Sequence, residues 1–356
     1  MQQINWNISG RLTLASVAGT AALLAGCDRD ASPPPPPPDP LLQAVSAIET
    51  APETLAPAPA VQSKPAPSLS VVRAEVLLAR AHASPGVIDG LPGSNLERAV
   101  AAFEAMNGLP TDGQLSPLVW TRLASVSRAP VAGVYVETAA DVAGPFYPDV
   151  GEDMVAASKL ASPGYSGPLE ALAARFHMSQ SLLIALNPGR DFKTAGQRIV
   201  VALPEVPALA PVASVQVDKA HASAVAFDAQ GRMIASFPAT VGSTDKPSPT
   251  GVRKVVGVSL NPTYTYDPAK LTWGPKRHGR FTIKPGPNNP VGLVWIALNA
   301  PGYGVHGSPN PDKIGKTASH GCVRLTNWDA LLLAHAVKPG VTVSFVHARG
   351  DGSDSG

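Results

Sequence analysis

The chain has 356 residues, room for two or three domains. Its net charge of +2 is too small to imply nucleic acid or an acidic surface as partner, and charged residues make up 15%, below the roughly one quarter usual in globular proteins. The 38 prolines are unevenly spread, which points to linkers rather than to an unusual core.

At the N-terminus Arg11 precedes an apolar run from Leu12 to Ala25. A span of the bilayer needs about 20 residues, so this run is too short for one and fits the apolar region of a signal peptide. It ends Leu24-Ala25-Gly26-Cys27, which resembles the bacterial lipobox. That resemblance implies a signal peptide at 1–26, a lipid on Cys27 and a membrane-anchored protein exported to the periplasm. An ordinary signal peptide with an incidental cysteine is the alternative. Asp28 resembles the inner-membrane retention signal of enteric bacteria, and the choice of membrane stays open.

Residues 27–68 read as a tether. Pro33 to Pro38 and the alternation Ala56-Pro57-Ala58-Pro59 favour extended polyproline II and offer little to bury. Some forty such residues reach on the order of 100 Å. Residues 69–127 read as a small three-helix domain. Val71, Val72, Val76, Leu77 and Leu78 have helical spacing, as do Leu96, Ala99, Val100, Phe103 and Met106, with Ser94 as N-cap. Asn107-Gly108 stops the second helix, and Pro117 to Leu123 starts a third. The order of helices and of the Asp89-Gly90 and Asp112-Gly113 turns resembles the peptidoglycan-binding domain; a helical spacer is the alternative.

Residues 128–163 lack a pattern and read as linker. In 164–204, Leu169, Leu172, Ala173 and Phe176 give one amphipathic helix, and Leu182, Leu183, Ala185 and Leu186 another. Asn187-Pro188-Gly189 follows, then Gly196-Gln197 and an apolar strand. This resembles a LysM module, of βααβ form, although its Gly-Asp-Thr-Leu opening is degraded to Ser166-Gly167-Pro168-Leu169; a spacer is again the alternative. From 212 to 348 the pattern turns mostly β, with strands at Ser214 to Asp218, Ser223 to Asp228, Arg232 to Thr240, Leu293 to Leu298 and Val341 to Val346. One helix runs from Asn327 to Val337. Residues 349–356 read as a disordered tail. The fold class is therefore multidomain.

The chemistry centres on Cys322. If lipidation consumes Cys27, one thiol is left without a partner in an exported protein, a liability unless its reactivity is used. A nucleophilic cysteine needs a base or a depressed pKa. His320 is close in sequence, but two residues along an extended segment it rarely reaches back to the thiol. His306, in Tyr303-Gly304-Val305-His306-Gly307, is the better base if it lies on an adjacent strand. No metal-ligand cluster is visible in this region.

His306-Gly307 followed by Ser319-His320-Gly321-Cys322-Val323-Arg324 resembles the catalytic signature of the L,D-transpeptidase (YkuD-type) domain, and Thr244 to Gly251 resembles a further loop of that family. The resemblance implies a cysteine acyltransferase of peptidoglycan with Cys322 as nucleophile and His306 as general base and acid. The carbonyl of Gly307 would orient the imidazole, and backbone N–H groups of His320, Gly321 and Cys322 would form the oxyanion pocket. Arg324 either pairs with a stem-peptide carboxylate or braces the loop. Ser319 hydrogen-bonds the loop. Tyr303, Trp295 and Trp273 are candidates to line the cleft, with core packing the stronger expectation for Trp295. The implied partners are peptidoglycan stem peptides and glycan, with a stem, a D-amino acid or a wall-anchored lipoprotein as acceptor, in cell wall biogenesis. No cofactor is called for. A hydrolase using the same acyl-enzyme and a non-catalytic wall-binding scaffold are the rival readings.

Overall fold

The computed structural model of the protein describes residues 37–53, 66–243, 246–269, 274–319 and 321–346. The signal segment with Cys27, residues 54–65, Thr244, Asp245, residues 270–273 with Trp273, His320 and everything from His347 onward lie outside the described residues. From Pro38 the chain is a single unit.

The expected tether contains a helix, α1, at Pro40–Glu49. Asp39 caps it through Leu41 N at 2.9 Å, and Pro40 sits in the first turn, where a missing N–H costs nothing. Leu41, Ala44, Val45 and Ile48 face the helical core, and Ile48 is fully buried. That spacing of apolar residues overrides the surrounding proline bias and corrects the reading of 27–68 as uniformly extended.

Three helices follow as expected: α2 at Leu69–Arg80, α3 at Ser94–Asn107 and α4 at Pro117–Ala124. Ser94 is the first helical residue rather than the cap; Gly93 holds the cap position. The first two helices repeat one device. Buried Glu75 accepts the N–H of Gly90 at 2.9 Å, and buried Glu104 accepts those of Asp112 and Gly113 at 3.0 and 2.8 Å. Each carboxylate thus fastens an Asp-Gly turn to the helix before it, at the cost of a pKa raised by desolvation.

The expected linker is folded. It holds strand β1 at Ala132–Val136 and short helices α5 at Ala139–Ala143 and α6 at Met154–Ser158. After α7 at Pro168–Arg175 and α8 at Gln180–Leu186 comes β2 at Arg198–Ala202, which pairs antiparallel with β1 from Ala132↔Ala202 to Val136↔Arg198. The βααβ unit therefore begins at 132 and not at 164, with α5 and α6 lying between its first strand and α7. Arg80 ties it to α2: the guanidinium donates to the carbonyls of Ala129, Pro130, Leu203 and Pro204 at 2.6 to 3.2 Å. The helices from α1 to α4 and this unit share one apolar core.

The remainder forms an eight-stranded sheet with a second core. Its strands are β3 at Ser214–Asp218, β4 at Ser223–Phe227, β5 at Met233–Pro238 and β6 at Gly251–Leu260. A separate two-stranded pair follows, β7 at Tyr264–Tyr266 and β8 at Phe281–Ile283. The large sheet resumes with β9 at Val294–Leu298, β10 at Gly304–His306 and β11 at Val323–Arg324, and after helix α9 at Asn327–Ala336 it ends with β12 at Thr342–Val346. The order is β11-β10-β9-β6-β12-β3-β4-β5. The sheet curls until its ends meet: Thr240, just past β5, exchanges backbone hydrogen bonds of 2.9 Å in both directions with Arg324 of β11.

The outer edge of β5 is met by the helical region. Ser84 N donates to Ser236 O, and Ser236 N to His82 O, both at 2.9 Å. Beside this rung Ser84 Oγ donates to Asp329 Oδ2 at 3.0 Å, Trp328 Nε1 donates to Gly86 O at 3.3 Å, and the Trp328 and His177 rings stack 4.7 Å apart. Burial pushes the Asp329 carboxyl up to about 7 and holds the His177 imidazole down to about 3. Because Ile48 is fully buried, Ile48→Ala should lower the unfolding free energy in urea by about 2 to 5 kcal/mol. An unfolding curve unchanged from wild type would mean that α1 does not dock.

Candidate active site

Strands β10 and β11 run parallel and pair in only two places, Val305↔Val323 and His306↔Arg324. Cys322 stands at the entrance to β11. It therefore lies two residues from the position opposite His306, about 7 Å along the strand, on the same face as Arg324. This adjacent-strand placement joins the two residues that sequence spacing singled out.

His306 is buried, and its Nδ1 lies 2.7 Å from the carbonyl oxygen of Gly307, so Nδ1 carries the proton and donates it. The Trp295 ring stacks on the imidazole at 5.5 Å and 25°. Trp295 is only half-buried, less than the core packing expected of it would give. Two close approaches explain the flanking glycines. A Cβ on Gly307 would collide with Oδ1 of Asn327, which accepts from Leu293 N at 3.0 Å, and one on Gly304 would strike the Trp295 ring. Burial, with a smaller push from the Arg324 charge, holds the His306 pKa down to about 4.

The Cys322 thiol is half-buried, with Sγ 3.6 Å from the carbonyl of Gly302. Burial raises its pKa, and the Arg324 charge offsets this only in part. Burial thus works against charge on both the thiol and the imidazole.

Ser319 shapes the turn. Its hydroxyl donates to the Cys322 carbonyl at 2.5 Å and accepts the Gly321 N–H at 3.1 Å, while its backbone bonds Val241 and Ser243. This corrects one expectation: the Gly321 N–H is committed to Ser319 and not directed at an oxyanion. Gly321 instead contributes a φ of +115° and a bare Cα against the Tyr303 ring, where a Cβ would come within 3.0 Å.

Two polar atoms near the thiol are buried and lack a partner among the described residues, Nε of Arg324 and the hydroxyl of Tyr264. Tyr264 lies in the β7–β8 pair, and burial together with the neighbouring Cys322 pushes its pKa up to about 12. The sequence reading missed Tyr264, because a tyrosine some sixty positions before the cysteine carries no spacing signal. Among the described residues no group of three or more His, Cys, Asp or Glu is placed to hold a metal ion. A separate groove of about 730 Å³ opens between α1 (Pro40, Leu41, Ala44) and the loop into β2 (Pro188, Arg190, Gln197).

Residues 213–345 match the family model of the L,D-transpeptidase catalytic domain. Residues 68–123 match that of the "Putative peptidoglycan binding domain". The "Putative L,D-transpeptidase YkuD" of Bacillus subtilis is 29% identical over 178 residues, 49% of this chain and 92% of that protein. The "Probable L,D-transpeptidase YbiS" of Escherichia coli is 29% identical over 196 residues, 51% of this chain and 61% of that protein. A solved L,D-transpeptidase from Mycobacterium smegmatis aligns with 43% of this chain and 64% of its own at 17% identity and a TM-score of 0.29. Residues 213–345 are thus similar to the L,D-transpeptidase catalytic domain, and residues 68–123 before them to a peptidoglycan-binding domain.

The depressed His306 pKa has a sign that can be checked. Unfolded chains protonate this residue below about pH 6.5 while the folded one refuses the proton down to about 4, so its stabilising contribution is complete above about 6.5 and is lost as pH falls toward 4. His306→Asn should reduce the fall in urea-denaturation stability on going from about pH 6.5 to about 4 relative to wild type, while His177 keeps a contribution of the same sign and the raised Asp329 carboxyl one of the opposite sign. Ser319→Ala leaves the Cys322 carbonyl and the Gly321 N–H without their partner and should cost about 1 to 3 kcal/mol by the same assay.

Proposed function

We propose that the protein is an exported peptidoglycan L,D-transpeptidase in which Cys322 is the nucleophile and His306 the general base and acid. The observation that carries this reading is the His306 imidazole, with Nδ1–H fixed on the Gly307 carbonyl, one strand away from a half-buried free thiol. With Nδ1 committed, the other ring nitrogen takes the thiol proton as Sγ attacks the carbonyl carbon of the third stem residue, a diamino acid. The bond to the terminal D-Ala breaks, His306 returns the proton to the departing amine, and a thioester remains. An acceptor amine then attacks the thioester, loses its proton to His306, and leaves with the acyl group as Cys322 regains its thiol.

On this reading the thiol and imidazole start uncharged, negative charge builds on the substrate oxygen in the tetrahedral intermediate, and donors aimed at that oxygen act on the rate rather than on binding. The backbone N–H groups of Cys322 and His320 are the donors this reading assigns, with Gly321 excluded by its bond to Ser319. The unpartnered Nε of Arg324 suits a stem carboxylate, and the Tyr264 hydroxyl suits a stem carbonyl or carboxylate. The groove beside β2 is the place where the LysM-like unit would meet glycan. Lipid on Cys27 would hold the enzyme at a membrane facing the wall.

Incubating the protein with purified tetrapeptide stems and weighing the products separates the readings. Cross-linked dimers are expected, together with loss of more than about a thousandfold in rate for Cys322→Ala. Tripeptide alone would make it a hydrolase, and wall function restored in cells by Cys322→Ala would make it a scaffold.

A further inference from the structure

The segment that delivers Cys322 is held from outside its own domain. Residues 311–318 run from the short 3-10 turn Pro311–Lys313 to Ser319. The carbonyl of buried Ile314 accepts Nδ2 of Asn95 at 3.0 Å, and that of Gly315 accepts Nη2 of Arg98 at 3.0 Å. Both donors project from α3 of the peptidoglycan-binding domain, and the Asn95 Oδ1 also accepts from Arg98 Nη2. On its other side Gly315 donates its N–H to Oγ1 of Thr240 at 3.0 Å. Thr240 is the residue whose backbone is bonded both ways to Arg324, two positions past the thiol. An unbroken run of hydrogen bonds therefore leads from α3 through Gly315 and Thr240 to β11.

This run matters because, although Ser319 fastens the end of the loop to Val241 and Ser243, the carbonyls of Ile314 and Gly315 are held from α3. Gly315 and Gly321 both sit at positive φ, +72° and +115°, where glycine is at ease but also freest to move. A Cβ at 315 would collide with Asn95 Oδ1, so the close approach of α3 is itself built around that glycine. Farther out, Lys316 pairs with Asp89 of the same helical domain.

We propose that Arg98 and Asn95 are positioning residues of the transfer reaction: the peptidoglycan-binding domain, through α3, sets the placement of the loop that presents Cys322 to His306. This rests on the reading of Cys322 as nucleophile. Loss of the grip leaves two carbonyls short of a partner and lets the loop drift, and a displacement of an ångström at a nucleophile is enough to cost about a hundredfold in rate. The same drift opens the half-buried thiol to water, which lowers its pKa.

The full-length protein and its Arg98→Ala, Asn95→Ala, Arg98→Lys and Ser84→Ala variants supply the test. Ser84 lies in the same interface but bonds Asp329 and not the loop. Three quantities are read: kcat and KM for stem transfer, the pH profile of Cys322 alkylation by iodoacetamide followed on the Cys322 peptide by mass spectrometry, and the melting temperature. Arg98→Ala should lower kcat at least about tenfold with KM within about twofold, while alkylation accelerates and its pH midpoint falls. Asn95→Ala should do the same to a lesser degree, and Arg98→Lys should recover part of kcat. Ser84→Ala should lower the melting temperature and leave both rates alone. Unchanged kcat and alkylation in Arg98→Ala, or an equal loss in Ser84→Ala, would overturn the proposal. If the wild type makes no transfer product, it is the functional reading that falls; the alkylation contrast, which needs no transfer activity, still decides whether α3 holds the loop.

Discussion

Two rungs of parallel pairing between β10 and β11 are what the active site depends on. Parallel ladders are slightly weaker per residue than antiparallel ones, and two rungs would not survive alone. Here the pair is clamped from three directions. Antiparallel β9 holds β10 from His306↔Trp295 to Gly304↔Ala297, Asn327 at the start of α9 presses on Gly307, and Thr240 closes the far side of β11. The clamp fixes a strand offset between imidazole and thiol, and its desolvation sets their state. Burial raises the pKa of the acid and lowers that of the base, so both terms favour the uncharged pair. An uncharged pair can sit in a partly closed site without counter-ions.

The second organising feature is the interface between the helical region and the sheet. The two apolar cores are separate, yet the contact between them is specific and polar: Ser84 with Asp329, Trp328 with Gly86, Arg98 and Asn95 with the Gly315 loop. Such directional bonds fix one orientation, whereas a purely apolar contact would tolerate several. The start of α9 is central to this, since Asn327, Trp328 and Asp329 point one after another at the His306 strand, the helical region and Ser84.

The sequence made the similarity to the catalytic domain legible through the motif from Ser319 to Arg324 and the His306-Gly307 pair, which the fold places on adjacent strands. The three helices were legible from period, and β3, β9 and β12 from alternation. What escaped notice has physical causes. Helix α1 hides among prolines, although Leu41, Ala44, Val45 and Ile48 carry its spacing. Strand β1 is one half of a pair whose partner is some sixty residues later, and a short strand shows its meaning only once paired. Strand β6 carries exposed Val252, Val256 and Leu260, and a bulge at Val255–Gly257 breaks its alternation. The commitment of the Gly321 N–H to Ser319 is a matter of one loop's conformation, which residue types alone do not determine. Tyr264 is brought to the thiol by tertiary folding and by nothing local.

Strand β5 ends the sheet, and its outer backbone groups find their partners in His82 and Ser84 of another module. An unpaired strand edge is a template for joining any extended chain that passes. Joining this sheet to a different helical region would therefore expose that edge, and would require a new backbone partner for β5 along with a new anchor for the Gly315 loop.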